Sequence, residues 1–322
     1  MITLADIHQA HTRIEDLINR TPIMTSRTIN EMVQADVFFK CENFQRAGAF
    51  KARGATHALS RLTDAEKERG VVTHSSGNHA QALALASKSM GVRATIVMPK
   101  NAPRVKVEAT KGYGAEVVFC ESTEADRIAA TDSLIESHGY TLIHPYDDDR
   151  IICGAATAAL ELLEDVDGID TIVAPVGGGG LLSGTALTAK LSGKDVRVYA
   201  AEPKGADDAY RSFTSGRIMK NDRVNTIADG LRTNLSSRTF SIIHEHVDGI
   251  VPVTDREIIQ AMRLLWERMK IVVEPSGAVP LAGILKQEIE IEGKRVGVIL
   301  SGGNIDLGKF FELLEGNVLD GS

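Results

Sequence analysis

Three glycine-rich segments follow apolar runs of this chain and could bind an anionic ligand. They read HSSGNHAQ (74–81), PVGGGGLLSG (175–184) and LSGGNIDL (300–307). In open α/β sheets, ligands bind beyond the carboxyl ends of the strands, and the N-termini of the following helices attract anions. Four consecutive glycines, Gly177–Gly180, carry no Cβ atoms, so their amides can approach a phosphate closely. The three turns predict one cleft with a phosphate cradle at the tetraglycine turn, Gly177–Gly180.

The tetraglycine turn matches neither of two common nucleotide-binding motifs. No Gly-Lys-Ser/Thr follows it, as a Walker A loop would require, and it does not have the usual GxGxxG form. Nucleoside triphosphates and NAD are therefore disfavoured as ligands. A flexible or tight turn without a ligand is the alternative interpretation of the same residues.

Lys51, in ENFQRAGAFKARGA, is a candidate nucleophile. Taken alone it would be interpreted as an exposed surface lysine. Its neighbours Phe50, Ala52 and Ala55 are apolar or small, which is compatible with partial burial. Burial lowers a lysine pKa and favours the neutral amine that imine formation needs.

Apolar runs and helical patterns alternate along almost the whole chain. The helical stretches include 79–90, 155–163 and 256–269, and most of the runs are continuously apolar, as in strands that are covered on both faces. The alternation predicts an α/β fold with largely parallel sheets. The predicted strands are Val37–Glu42, Val71–Ser75, Ala94–Met98, Glu116–Cys120, Thr141–Ile143, Thr171–Val176, Val196–Ala200 and Val296–Leu300.

Composition excludes several classes of function. The 322 residues have a net charge of -7 and no basic stripe, so we expect no nucleic-acid partner. No apolar run approaches the roughly 20 residues that span a bilayer, and the N-terminal segment is polar, unlike a signal peptide. Cys41, Cys120 and Cys153 are isolated and form no disulfide or zinc pattern. A reducing cytoplasm is expected.

Six motifs in chain order carry a resemblance to a known family. They are GAFKARGA, SSGNHAQ, GGGGLLSG, AEPKGADD, VVEPSG and SGGN, and they extend over nearly the whole chain. The sequence resembles the fold-type II pyridoxal 5′-phosphate (PLP) enzymes: serine racemase, threonine dehydratase and 3-hydroxyaspartate dehydratase. The resemblance implies PLP as cofactor, held in a cleft between two three-layer α/β/α lobes.

The resemblance also implies roles for individual residues. Lys51 would form an imine with the cofactor and move the Cα proton on one face, and Ser76 would face the substrate from the other. Phe50 would pack beside the cofactor ring, Asn78 would bind its 3′-oxygen, and Ser301 would contact the pyridine nitrogen. The other implied residues are Gly177, Gly178, Gly179, Gly180 and Leu181 for the phosphate, Ser75, Ser76, Gly77, Asn78 and His79 for the substrate carboxylate, and Glu274 over the cofactor.

A cation site is implied in AEPKGADD. The carboxylates of Glu202 and Asp208 and the carbonyl of Ala206 match a racemase-like site for Mg²⁺, or for Ca²⁺ or Mn²⁺, completed by water. A solvated acidic turn is the alternative.

The family shares β-elimination of water from 3-hydroxy amino acids. The GAFK form of the lysine motif favours 3-hydroxyaspartate, with serine and threonine as alternatives and serine racemization as the alternative reaction. A dicarboxylate needs a second cationic anchor, for which Arg127 and Arg232 are candidates, although each could equally form a surface salt bridge. A non-catalytic ligand-binding protein on the same scaffold is a third possibility, which Lys51 and the tetraglycine turn disfavour.

The predicted lobes are a small mobile one at residues 55–147 and a large PLP-binding one at residues 1–54 and 148–322. We expect the small lobe to close over the substrate, since expelling water strengthens the carboxylate contacts. From the resemblance alone, the partners are an amino-acid substrate and a second copy in a homodimer.

Overall fold

The computed structural model describes residues 2–102 and 104–316 of the chain. Over these residues, helices and strands alternate as the sequence predicts. The helices are α1 (Leu4–Ile14), α2 (Arg27–Val33), α3 (Lys51–Ser60), α4 (Asp64–Arg69), α5 (Asn78–Met90), α6 (Arg104–Gly112), α7 (Glu124–His138), α8 (Asp149–Asp165), α9 (Gly180–Leu191), α10 (Asp208–Ser215), α11 (Ser237–His246), α12 (Asp255–Leu264), α13 (Pro275–Leu285) and α14 (Leu307–Gly316). The strands are β1 (Ile23–Met24), β2 (Asp36–Cys41), β3 (Val71–His74), β4 (Ala94–Pro99), β5 (Glu116–Cys120), β6 (Thr141–Leu142), β7 (Thr171–Pro175), β8 (Arg197–Pro203), β9 (Gly249–Val253) and β10 (Arg295–Leu300).

The larger sheet has six strands in the order β1-β2-β10-β7-β8-β9, parallel except for β1. Side chains alternate between its two faces. Phe39 and Val298 pack on one face with α12, α13 and α14, whereas Ile172 and Ile299 pack on the other with α8 and α9. The sheet is therefore the middle of three layers.

The smaller sheet has four parallel strands in the order β5-β4-β3-β6. Val71 and Ile96 pack with α3 and α5 on one face, and Val72 and Val97 pack against α7 on the other. This arrangement is a second three-layer unit. The predicted fold class of two α/β lobes with largely parallel sheets is confirmed.

The predicted strands are present with small shifts at their ends, but β1 and β9 were not predicted from the sequence. β9 reads GIVPV and contains Pro252, which cannot donate a ladder hydrogen bond. β9 lies at the edge of the six-stranded sheet, where a proline is tolerated. β1 has only two residues, too few for a period-2 pattern.

All strands of the smaller sheet lie between residues 71 and 142, and all strands of the larger sheet lie outside that range. This division is compatible with the lobes expected at 55–147 and at both ends of the chain, but those limits stay a prediction. Each helix that the structure describes is too short or too polar to cross a lipid bilayer.

Candidate active site

Lys51 is the first residue of α3, and its amine points to the junction between the two sheets. The Nζ atom donates a hydrogen bond to the carbonyl of Pro145 at 2.6 Å and lies 5.1 Å from the centroid of the Phe50 ring. Burial lowers the pKa of Lys51 to about 8, because the charged form is poorly solvated. About a tenth of the amine is therefore neutral and nucleophilic at pH 7, far more than for an ordinary lysine with a pKa of about 10.4.

The tetraglycine turn is linked to that amine through Pro145 and Tyr146. Gly179 has a φ of 88°, which favours glycine, and Gly180 begins α9. A Cβ at Gly178 would lie 2.4 Å from the Cγ and Cδ1 atoms of Tyr146, and one at Gly180 would lie 3.0 Å from the Cβ of Tyr146. Tyr146 directly follows Pro145, the residue that binds Lys51. The turn needs glycine partly because the Tyr146 ring packs against it.

The N–H groups of the tetraglycine turn are available to a ligand. Among residues 2–102 and 104–316, none of these four amides donates a hydrogen bond to a backbone or side-chain group. They precede or begin a 12-residue helix, whose positive end favours an anion. This turn therefore fits a phosphate group. Leu181, in the same first turn, is buried.

Ser301 and Phe50 are brought together because β2 and β10 are neighbours. Ser301 follows β10 and is buried, and its carbonyl accepts a 2.9 Å hydrogen bond from the N–H of Phe50. Gly302 forms a bridge with Ala49, and its carbonyl accepts from the N–H of Glu274 at 3.1 Å. The end of β10 thus connects the start of α3 to the segment before α13.

Asn78 links the smaller sheet to the larger one. Its Nδ2 donates to Oε1 of Glu274 at 2.7 Å, and its Oδ1 accepts from Nδ2 of Asn304 at 3.0 Å. One N–H of the Asn78 amide is left over from these bonds and could serve a further acceptor. Burial, together with the charge of Asp229, raises the pKa of Glu274 to about 8, so this carboxyl is largely protonated near neutral pH.

The segment from Ser75 to His79 forms the turn between β3 and α5. The N–H of Gly77 donates to Oγ of Ser75 at 3.3 Å, and Ser76 lies between them, partly exposed. His79 is buried, and its Nε2 lies 3.1 Å from the carbonyl of Ile143. Burial lowers the pKa of His79 to about 3, so the ring is neutral. The turn leads into the N-terminus of α5, which has no side-chain cap and whose amides suit a carboxylate.

The segment from Ile143 to Asp147 holds several of these groups in place. His144 Nδ1 accepts from the N–H of Tyr146 at 3.3 Å and from that of Asp147 at 2.8 Å. Burial and the nearby His74 lower the pKa of His144 to about 4, so its ring is neutral and its Nδ1 can accept. The His144 ring also contacts the Tyr146 ring edge-on, with centroids 4.7 Å apart.

These groups fit PLP. The Lys51 amine of lowered pKa fits its aldehyde, the unused amides of the tetraglycine turn fit its phosphate, and the buried Ser301 fits its pyridine nitrogen. The family model of the pyridoxal-phosphate dependent enzymes matches residues 14–302 of the chain. The chain belongs to this family. The PLP dependence that the resemblance implied is thereby confirmed.

Relatives in this pyridoxal-phosphate dependent family are similar over their whole length. The serine racemase of Dictyostelium discoideum is 52% identical, covering 97% of this chain and 98% of its own. The beta-hydroxyaspartate dehydratase of Paracoccus denitrificans is 48% identical, covering 95% and 98%. The solved structure of maize serine racemase superposes with a TM-score of 0.94 at 44% identity, covering 99% and 98%.

The two candidate arginines have different surroundings. Arg127 lies in the first turn of α7 beside Cys120, and its Nε is buried without a hydrogen-bond partner in the part of the chain that the structure describes. Arg232 is exposed, and its Nε donates to the carbonyl of Thr226 at 3.1 Å. Arg127 thus keeps an unused donor for an anion.

Glu202 and Asp208 are fully buried and close enough to repel each other, and Ala206 is buried in the turn between them. Glu202 accepts two backbone N–H bonds at 3.0 and 2.7 Å, and Asp208 accepts from Asn221 at 2.7 Å. Burial and the charge of Asp208 raise the pKa of Glu202, and burial raises the pKa of Asp208 to about 6. A cation would relieve both penalties, so this donor set fits one.

Three contributors to this site were missed by the sequence analysis. Asn304 stands in the SGGN motif and binds Asn78, Pro145 supplies the carbonyl that receives Lys51, and Tyr146 covers the tetraglycine turn. Asn304 could have been found from its motif. The contribution of Pro145 is a backbone atom, which leaves no trace in the residue type.

Proposed function

We propose that this chain is a PLP-dependent ammonia-lyase for 3-hydroxy amino acids, with 3-hydroxyaspartate as its main substrate. Water is eliminated first and is then consumed again in the hydrolysis that releases ammonia, so the net products are oxaloacetate and ammonia. The proposed chemistry rests on the Lys51 amine, whose pKa is lowered. That amine binds the carbonyl of Pro145, and the next residue, Tyr146, packs against the tetraglycine turn. Two relatives support the substrate: the beta-hydroxyaspartate dehydratase of Paracoccus denitrificans and an L-threo-3-hydroxyaspartate ammonia-lyase of Saccharomyces cerevisiae, 46% identical.

When bound, PLP supplies an electron sink that makes the Cα proton of the amino acid removable. The residues of this chain do the rest. Lys51 accepts that proton, because a pKa of about 8 leaves part of the amine neutral and able to act as a base. Loss of the 3-hydroxyl as water follows, and water then releases ammonia from the nitrogen to leave the keto acid.

The glycine-rich turns would position the substrate and the cofactor. The turn from Ser75 to His79 would hold the substrate α-carboxylate at the N-terminus of α5, and Asn78 would donate its remaining N–H to the cofactor's 3′-oxygen. Phe50 would pack against the ring, Gly177–Gly180 and Leu181 would bind the phosphate, and the hydroxyl of Ser301 would meet the pyridine nitrogen.

A neutral partner at the pyridine nitrogen has a chemical consequence. A hydroxyl, unlike an aspartate, does not hold that nitrogen protonated, which limits the spread of negative charge from Cα. Prompt loss of a β-leaving group is then favoured over return of the proton. Glu274 in its protonated form keeps Asn78 in place and would lie over the bound cofactor.

Serine racemization is the second candidate, because the Dictyostelium relative at 52% identity carries that name. It requires acid–base groups on both faces of Cα, for which Lys51 and Ser76 are the pair. Incubation with L-serine, following pyruvate and D-serine together, separates the two reactions. Pyruvate without D-serine excludes racemization, whereas D-serine formed faster than pyruvate contradicts a lyase as the main activity.

Substrate choice is tested by ammonia release from threo- and erythro-3-hydroxyaspartate, serine and threonine at equal concentration. We expect the highest kcat/KM for one isomer of 3-hydroxyaspartate. Arg127 is proposed to bind the second carboxylate, since its Nε has no protein partner among the described residues. Arg232 serves as the matched control, since its guanidinium already bonds Thr226. A higher kcat/KM for serine than for both hydroxyaspartates would contradict the assignment.

We further propose that Glu202, Ala206 and Asp208 hold Mg²⁺ or Ca²⁺, and that the enzyme is a homodimer with a mobile small lobe at residues 55–147. The cation proposal is supported by two buried carboxylates in one site.

Light scattering after size-exclusion chromatography tests the dimer. Three free, buried cysteines are compatible with a reducing cytoplasm: Cys41, Cys120 and Cys153.

A further inference from the structure

Four charged side chains form a cluster beneath the start of α3, here called the buried ion cluster. They are Lys40, Glu42, Arg53 and Glu161, and their exposed fractions are between 0% and 1%. Lys40 is on β2, Glu42 follows β2, Arg53 is on α3 and Glu161 is on α8. The two cations and two anions of these four side chains balance, and His11 lies at the edge of the cluster with its Nε2 3.4 Å from Oε1 of Glu161.

Arg53 is the centre of the buried ion cluster, because every N–H of its guanidinium is used. Nε and Nη2 donate to the two oxygens of Glu42 at 2.7 and 2.8 Å. Nη1 and Nη2 donate to the two oxygens of Glu161 at 2.7 and 2.8 Å, and Nη1 also donates to Thr157 at 3.0 Å. Two bidentate forks fix the orientation of a planar group far more tightly than a point charge would.

Lys40 occupies the periphery of the same cluster. Its Nζ donates to Glu161 at 2.6 Å and to the carbonyl of Thr21 at 2.8 Å. These bonds tie β2 to α8 without touching α3. Lys40 therefore offers a comparison in which burial and charge are the same but the contact with α3 is missing.

The start of α3 depends on such tertiary contacts. Phe50, its N-cap residue, has no side-chain cap hydrogen bond. The helix also packs backbone to backbone on α8, where a Cβ at Gly154 would lie 2.6 Å from the Arg53 carbonyl and 2.7 Å from the Cα of Gly54. The position of the first turn of α3 is thus set by its contacts with neighbouring elements and not by an N-cap hydrogen bond.

We infer that Arg53 is a positioning residue for Lys51. The two residues share the first turn of α3, and Arg53 fastens that turn to β2 on one side and to α8 on the other. Pro145, whose carbonyl receives the Lys51 amine, lies just before α8. The Arg53 forks therefore set the separation between the amine and its acceptor, and so the approach of Lys51 to a cofactor bound at the tetraglycine turn.

Buried ion clusters are weak evidence for stability, since apolar residues of similar volume often stabilise as well or better. Their better-supported role is to specify one arrangement among several. An apolar contact would allow α3 to slide along α8, whereas the Arg53 forks allow a single register.

Two variants of the PLP-loaded enzyme test the inference. Arg53→Met with Glu42→Gln, here called the Arg53 pair, releases α3 and leaves the Lys40–Glu161 pair. Lys40→Met removes a buried cation of the same cluster and leaves both Arg53 forks in place. The readouts are the circular dichroism of the bound cofactor's visible absorbance band and its pH titration, neither of which needs a substrate, followed by kcat and KM.

We expect only the Arg53 pair to lose visible dichroism and to shift the pH titration. Its kcat should fall about 10–100-fold with KM little changed, since a displacement of about 1 Å at a reacting group can cost about 100-fold. Lys40→Met should keep the wild-type spectrum. An unchanged spectrum in the Arg53 pair, or equal losses in it and in Lys40→Met, would overturn the positioning role, while failure of the lyase assay alone would bear only on the proposed substrate.

Gly154→Ala supplies a test that leaves every charge in place. Its new methyl group must push the first turn of α3 away from α8, so the visible dichroism should weaken as in the Arg53 pair. If the Arg53 pair does not fold, Gly154→Ala and Arg53→Lys test the inference in its place. Wild-type visible dichroism in both variants would refute the inference, and loss of visible dichroism in both would support it.

Discussion

Gly178→Ala is the sharpest test of how the phosphate turn is built. The added methyl carbon would lie 2.4 Å from Cγ and Cδ1 and 2.5 Å from Cε1 of Tyr146. Carbon atoms pack at about 3.5–4.0 Å, so the ring must retreat by roughly 1 Å or more. Because Tyr146 follows Pro145, that movement also disturbs the carbonyl bound to Lys51.

The expected cost follows from the size of the clash. Forcing an extra methyl into a packed site costs about 1–3 kcal/mol. The part of this cost that falls on the PLP-bound state weakens PLP binding. At about 1.4 kcal/mol per tenfold, we expect the Kd for PLP to rise by roughly tenfold to 100-fold. Absorbance titration of the PLP-free protein measures the Kd, and urea unfolding measures the change in stability.

Two comparison variants identify the cause. Gly112→Ala adds a methyl at a helical position with nothing within 4 Å, so we expect an unchanged Kd. Tyr146→Ala in the Gly178→Ala background removes the obstacle and should recover most of the lost affinity. A wild-type Kd together with wild-type stability in Gly178→Ala would refute the steric argument, as would a double variant no better than the single one.

Further predictions concern the amine, the buried acid, the cation and the second carboxylate. Lys51→Ala should abolish the visible cofactor band and turnover while urea unfolding stays cooperative; near-normal turnover would contradict the role of the lysine. The pKa of Glu274 is raised to about 8 by burial and the charge of Asp229, above its unfolded value of about 4.3. The stabilising contribution of the protonated acid is complete below pH 4 and is lost as pH rises towards 8. Thermal unfolding from pH 5 to 9 should therefore show a fall in stability that Glu274→Gln flattens, and parallel curves would contradict this. Mg²⁺ should raise the Tm of the wild type but not of Glu202→Gln, and an equal rise in both would place the ion elsewhere. Arg127→Ala should lower kcat/KM for 3-hydroxyaspartate by about 10–100-fold, as loss of a charged hydrogen bond worth about 1.5–3 kcal/mol implies, and serine much less; equal losses would remove the dicarboxylate argument.

Much of the architecture could be predicted from local sequence. Continuously apolar runs such as Thr171–Pro175 are buried on both faces of a sheet, so their composition alone indicates parallel α/β layers. Glycine at positions 177–180 was equally informative, since few structures need four residues without Cβ. β9 was missed because Pro252 signals a break unless the strand is known to lie at an edge.

The sequence by itself determined the residue types that can do chemistry here: an amine at position 51, a bare turn at 177–180, and the order of the motifs that identifies the family. Only the tertiary structure decided which atoms meet. The Pro145 carbonyl and the fork between Arg53 and Glu161 join segments about 100 residues apart, and the Tyr146 ring meets a turn that follows it by about 30 residues. Such contacts arise from sheet order and helix packing, which depend on the sum of many burials and on no local pattern.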